Sequence, residues 1–188
     1  ALLRDLVNTP AQDMGPSAIE AAVRAIAEEF GADITVTAGD DLLEQNYPMI
    51  HAVGRAAPEA PRLIELTWGN PDHPELALVG KGVAFDTGGL NLKTGNYMRL
   101  MKKDMGGSAH VIALARLVMS SNLPVRLNLY VPAVENAIDS HAFRPGDVLS
   151  TRKGLTVEID NTDAEGRLIL GDALTKACES DPDLLIDF

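Results

Sequence analysis

Short apolar runs of strand composition alternate along this chain with segments of helical period, and that alternation restricts it to an α/β architecture. Ile34–Thr37, Arg62–Thr67, Glu75–Val79, Arg126–Val131, Leu155–Ile159 and Leu184–Phe188 read as strands. Between them, Ile19, Ala22, Val23, Ile26 and Ala27 recur at helical spacing after Ser17 and Glu20, which form a capping-box pattern. Ser108–Ser120 and Leu168–Ala177 carry the same period, Asp40–Gln45 suits a short helix, and Leu2, Leu3, Leu6 and Val7 open the chain on a helical face. The turn composition Asn70-Pro-Asp-His73 predicts a hairpin joining 62–67 to 75–79. The expected fold is a three-layer α/β sandwich, a mixed central sheet flanked by helices.

With 188 residues there is enough chain for one domain with a sizeable core. Hydrophobic residues are 46 % of the total but aromatics only 4 %, so Leu, Val, Ile and Ala must build that core. The formal net charge of −11 repels phosphate backbones and anionic lipid, which argues against nucleic-acid or membrane partners. It also leaves room for an acidic cluster that cations neutralise. Cys178 is the single cysteine, with no base or oxyanion motif beside it, so it reads as a packing or surface thiol. No apolar run approaches the ~20 residues of a membrane span, and a cytoplasmic location is expected. Both ends read as cut, inside a helix at Ala1 and on an apolar strand at Phe188.

Two clusters carry the chemistry. One is Gly80-Lys-Gly-Val-Ala-Phe-Asp-Thr-Gly-Gly89 with Lys93 and Met101-Lys-Lys-Asp-Met-Gly-Gly107; the other is Asn161-Thr-Asp-Ala-Glu-Gly-Arg167. The stretch 80–107 is too rich in Gly, Lys and Asp for regular packing to be expected, and long irregular connections of that kind are usually functional. Together the clusters hold Asp86, Asp104, Asp163 and Glu165 beside Lys81, Lys93 and Arg167. Hard divalent cations take oxygen ligands, and two ions ~3.5–4 Å apart call for carboxylates able to bridge them. Asp163 and Glu165, two apart, would share a face of an extended segment.

No histidine accompanies either cluster, which argues against a histidine-based zinc site. A phosphate loop is excluded because Glu75 and Gly82 stand where Gly and Ser or Thr are needed, and a dinucleotide fingerprint because Phe85 replaces its third glycine. Asn161-x-Asp163-x-Glu165-Gly166 leading to Asp172 is closer to a calcium loop, but a strand rather than a helix precedes it, and position twelve is Asp. A solvated acidic loop is the plain alternative for either cluster alone.

In combination, these motifs resemble those of the leucyl (cytosol) aminopeptidase family, and so do Asn8-Thr-Pro-Ala11 and Arg144-Pro-Gly-Asp-Val148. The resemblance implies a two-metal aminopeptidase that releases amino-terminal residues from peptides by attack of a metal-bound hydroxide. Lys81, Asp86, Asp104 and Glu165 match the ligands of a tightly held ion, and Asp86, Asp163 and Glu165 those of an exchangeable one. Lys93 matches the catalytic lysine facing the substrate carbonyl, Arg167 the arginine that holds a bicarbonate, and Met101 a residue of the first side-chain pocket. Mn²⁺ or Zn²⁺ as cofactor, peptides with a free amino terminus as substrates, and a homohexamer are implied likewise. On this reading residues 1–188 are a partial catalytic domain, lacking the family's small amino-terminal domain and the segment after the last strand. Leu90-Asn-Leu92 departs from the family pattern, and His51, His73, His110 and His141 match no ligand and read as surface or packing residues. A calcium-binding module and a non-catalytic fragment are the alternatives.

Overall fold

The computed structural model describes residues 1–188. Along the chain run α1 (Leu2–Asn8), α2 (Pro16–Phe30), β1 (Asp33–Ala38), α3 (Asp41–Glu44), α4 (Pro48–Gly54), β2 (Arg62–Trp68), β3 (Glu75–Val79) and β4 (Gly82–Asp86). There follow α5 (Gly106–Ser120), β5 (Arg126–Asn136), β6 (Val148–Ser150), β7 (Thr156–Glu158), α6 (Gly166–Cys178) and β8 (Leu184–Asp187). The central sheet has the order β1-β2-β5-β3-β8, with β4 continuing beyond β3 along the same flank of β5.

β5 organises the sheet. It is 11 residues long, antiparallel to β2 and parallel to β3 and β4. Its side chains alternate between the two faces. Leu127, Leu129, Val131 and Ala133 enter one core with α1, α2 and α5, while Tyr130 and Val134 enter the other with α4 and α6. These two apolar interfaces make the three-layer sandwich with a mixed sheet that the sequence predicts.

Local features differ from the sequence reading. The expected hairpin does not form: β2 and β3 lie on opposite sides of β5 and never pair. The Asn70 side chain does accept the Asp72 amide, as a turn requires, but turn chemistry reverses a chain without choosing its neighbour. The capping box is absent too. Gly15 is the N-cap of α2, the Ser17 amide donates to Glu59 at 2.9 Å, and Glu20 instead takes Arg24 and Arg62. The stretch 80–107 is not wholly irregular, since Gly82–Asp86 is a sheet strand. Of residues 155–159, Thr156–Glu158 form a strand that pairs with β6 in a separate two-stranded sheet rather than joining the central one. Asp163 and Glu165 sit on no extended segment: Thr162–Ala164 is a 3-10 turn and Glu165 the N-cap of α6.

Asp172, the twelfth position of the calcium-loop pattern, is fully buried in α6. Its two oxygens accept the backbone amides of Met49, at the start of α4, and Arg152, in the β6–β7 turn, at 2.8 and 2.9 Å. It therefore ties three elements together with its acceptors already occupied. Asp172→Ala is expected to leave those amides unpaired and to lower stability by roughly 1–3 kcal/mol. An unshifted urea midpoint would contradict this.

Candidate metal centre

The site forms where the β3–β4 strand passes the N-termini of α5 and α6. Ala77 and Val79 face α6, so strand alternation sends Lys81 to that same face. There it runs against Gly166, where an added Cβ would come within 2.6–2.8 Å of the lysine's Nζ, Cε and Cδ. On the opposite face Gly80 lets α5 approach until a Cβ would meet Val111 at 2.3 Å and the Gly107 carbonyl at 2.7 Å. That approach brings Asp104, in the 3-10 turn before α5, beside Lys81. The register against β5 then slips between Val83 and Asp86, a local irregularity that breaks the alternation just before Asp86 at the strand end.

The result is a compact charged cluster. Carboxylate oxygens of Asp86, Asp104 and Glu165 lie within 4.8 Å of one another. Lys81 Nζ lies 2.9 Å from Asp104 Oδ2 and 2.9 Å from Glu165 Oε1, ion-pair distance to both. Lys93 Nζ lies 2.7 Å from Asp86 Oδ2 and 2.5 Å from Asp163 Oδ1. Asp163 is thus linked to the cluster through Lys93 and is its most exposed carboxylate.

Electrostatics follow from burial and neighbours. Glu165 is 1 % exposed, and burial pushes its pKa up to about 7, with Asp86 and Asp104 adding to the shift and Lys81 opposing it. Burial also works against ionising Asp86, but hydrogen bonds from Lys93, Gly88 and Asn136 outweigh it and hold this carboxyl below its ordinary range. Both lysines resist burial and are shifted upward by their carboxylate partners.

The donor set fits divalent cations. Glu165 Oε2 is buried with neither a hydrogen-bond donor nor an ion-pair partner, and Asp104 Oδ2 and Glu165 Oε1 share the single Lys81 ammonium, a deficit that a cation relieves. Four carboxylates against two lysines leave a negative surplus in the same place.

The remaining sequence candidates lie around this cluster. Met101 joins Leu92, Lys93, Tyr97 and Asp163 around a cavity of about 320 Å³. Arg167, exposed, shares with Lys81, Asp163 and Gly166 a second cavity of about 370 Å³. The histidines stay outside: His51 and His141 pair with Asp40 and Asp139, and His110 stacks on Phe188. Cys178 is a free, exposed thiol.

Three polar residues escape the sequence reading. Thr162 is buried and donates its hydroxyl to the Gly88 carbonyl at 2.6 Å. Asn91 accepts the Thr162 amide and donates its own amide to the Thr162 hydroxyl, both at 2.8 Å, which clamps the two motif segments together. Its position in the atypical Leu90-Asn-Leu92 was the available signal. Asn136 is the register partner of Asp86 at the end of β5, beyond the predicted limit of that strand.

A layered α/β domain with carboxylates and lysines gathered at strand and helix ends defines a candidate metallohydrolase. Residues 1–188 match the family model described as cytosol aminopeptidase family, catalytic domain, and the chain belongs to that family. Peptidase B of Pectobacterium atrosepticum is 43 % identical over 192 residues, which cover 98 % of this chain and 44 % of that protein. The crystal structure of cytosol aminopeptidase from Coxiella burnetii superposes with a TM-score of 0.98 at 57 % identity, covering all of this chain and 41 % of that one. The bottromycin maturation enzyme BotP in complex with Mn gives 0.91 at 42 % identity, over 98 % of this chain and 41 % of that one. The chain therefore spans less than half the length of these relatives.

Because Gly166 leaves the space that Lys81 fills, Gly166→Ala is expected to displace the lysine. Melting temperature should change little, while affinity for the first divalent ion falls. Wild-type affinity in a calorimetric titration would show that the contact is incidental.

Proposed function

We propose that the protein to which this chain belongs is a two-metal aminopeptidase acting on peptides with a free amino terminus. The observation that carries the reading is the trio of buried Asp86 and Glu165 with half-buried Asp104, their carboxylate oxygens within 4.8 Å of one another, on the motifs that define the family resemblance. Lys81, Asp86, Asp104 and Glu165 would hold a tighter ion, and Asp86, Asp163 and Glu165 a more exchangeable one. Two bound divalent ions would supply Lewis-acid polarisation of the scissile carbonyl and activation of the attacking water.

The chain's own groups do the rest. Lys93, held between Asp86 and Asp163 and shifted upward by them, stays protonated at neutral pH and acts as a fixed positive charge toward the developing oxyanion. Arg167 would hold a bicarbonate beside Asp163 as proton acceptor. The Met101 cavity would receive the first side chain. Mn²⁺ is the favoured ion because the similar BotP structure contains Mn, with Zn²⁺ as the alternative. No helix is long and apolar enough to cross a membrane; a cytoplasmic location and a homohexamer are carried over from the family. As proposed, residues 1–188 are part of a catalytic domain completed by further chain.

The test uses the full-length protein and an amino-acid anilide. Hydrolysis should depend on added Mn²⁺ or Zn²⁺ and stop on chelation; activity surviving exhaustive chelation would overturn the reading. Asp163→Ala should lose the weaker ion and keep the tighter one, and anomalous scattering from both positions would refute its assignment. Lys93→Ala should lower kcat by about 10²–10³-fold, in line with removal of an oxyanion donor, and leave KM nearly unchanged. A large rise in KM at constant kcat would mean that Lys93 only positions substrate.

A further inference from the structure

One buried amide joins the two acidic segments. Asn136 is 1 % exposed, and its Nδ2 donates to Asp86 Oδ1 at 2.8 Å and to the Thr162 carbonyl at 3.0 Å. Its own carbonyl takes the Thr87 amide at 3.1 Å and the Thr87 hydroxyl at 2.8 Å, so the residue is braced on the β4 side as well. Both side-chain neighbours are acceptors, so only the nitrogen end of the amide can face them. The opposite end pays for that orientation: Asn136 Oδ1 is buried without a donor.

The consequence falls on Asp86. Its Oδ1 accepts the Gly88 amide at 2.8 Å in addition to Asn136. A carboxylate oxygen offers two in-plane lone pairs, and two donors occupy them. Oδ2 takes no amide donor; its one partner is the Lys93 ammonium at 2.7 Å, which leaves it a lone pair for a cation.

We propose that Asn136 is a positioning residue that commits Asp86 Oδ1 to hydrogen bonds, presents Oδ2 alone to a bound cation, and anchors that geometry to Thr162 beside Asp163. This rests on the reading of Asp86 as a metal ligand. A residue that holds a ligand from behind fixes its orientation and typically governs metal affinity by 10–100-fold.

The experiment compares full-length wild type with Asn136→Ala and Asn136→Asp, titrated with Mn²⁺ by calorimetry and followed by electron paramagnetic resonance of the bound ion. Metal-free melting temperatures are measured alongside. Mn²⁺ affinity is expected to fall roughly 10–100-fold in Asn136→Ala, with an altered resonance spectrum and a smaller metal-induced rise in melting temperature. Asn136→Asp preserves size but turns an oxygen toward two acceptors, and should weaken binding at least as much. If Asn136→Ala does not fold, Asn136→Asp decides. A folded variant with wild-type affinity and spectrum, even with a lowered metal-free melting temperature, overturns the proposal and leaves the ligand reading standing. Failure of the wild type itself to bind Mn²⁺ overturns both.

Discussion

Carboxylate oxygens of Asp86, Asp104 and Glu165, brought within 4.8 Å of one another in a partly dry recess, repel, and the surrounding elements are arranged around that repulsion. Lys81, against Asp104 and Glu165, and Lys93, against Asp86 and Asp163, offset part of it. Burial, with the remaining repulsion added to it, pushes the pKa of Glu165 up to about 7. With a raised folded-state pKa, ionisation of Glu165 costs stability as pH rises through 7, so the ion-free fold is penalised at neutral pH. A divalent cation reverses that penalty, which links occupancy of the site to stability of the domain.

Bringing the carboxylates together requires close backbone approach on both faces of one strand. Gly80 admits the N-terminus of α5 on one face, and Gly166 admits the Lys81 side chain under α6 on the other. The acidic residues are then held by polar contacts rather than by packing. Thr162 and Asn91 clamp the second motif to the loop of the first, and Asn136 reaches both from the end of β5. A side chain on a loop positioned this way has little rotamer freedom left, the condition for holding an ion at fixed geometry.

Much of the fold was legible because it rests on short-range patterns. The period of Val111, Ile112 and Ala115 marks α5, and the apolar run from Arg126 marks β5, since one buried face imposes each pattern. The hairpin failed for a complementary reason. Residues 69–74 encode a reversal, but β5, more than fifty residues away in sequence, takes the place between the strands they join. The capping box failed because Glu59, distant in sequence, outcompetes Ser17 and Glu20 for the start of α2.

The candidate site divides along the same line. Residue identity alone determined that this chain carries Asp86, Asp104, Asp163 and Glu165 with Lys81 and Lys93 on glycine-rich segments, since hard-cation chemistry needs those side chains and backbone free to crowd around them. Only the tertiary structure decided that Asp163 joins the cluster through Lys93, that Asp172 is a core anchor rather than a ligand, and that Asn136 stands behind Asp86. Those outcomes depend on which oxygen meets which donor across the sheet, and such pairings between distant segments leave no periodic trace in the sequence.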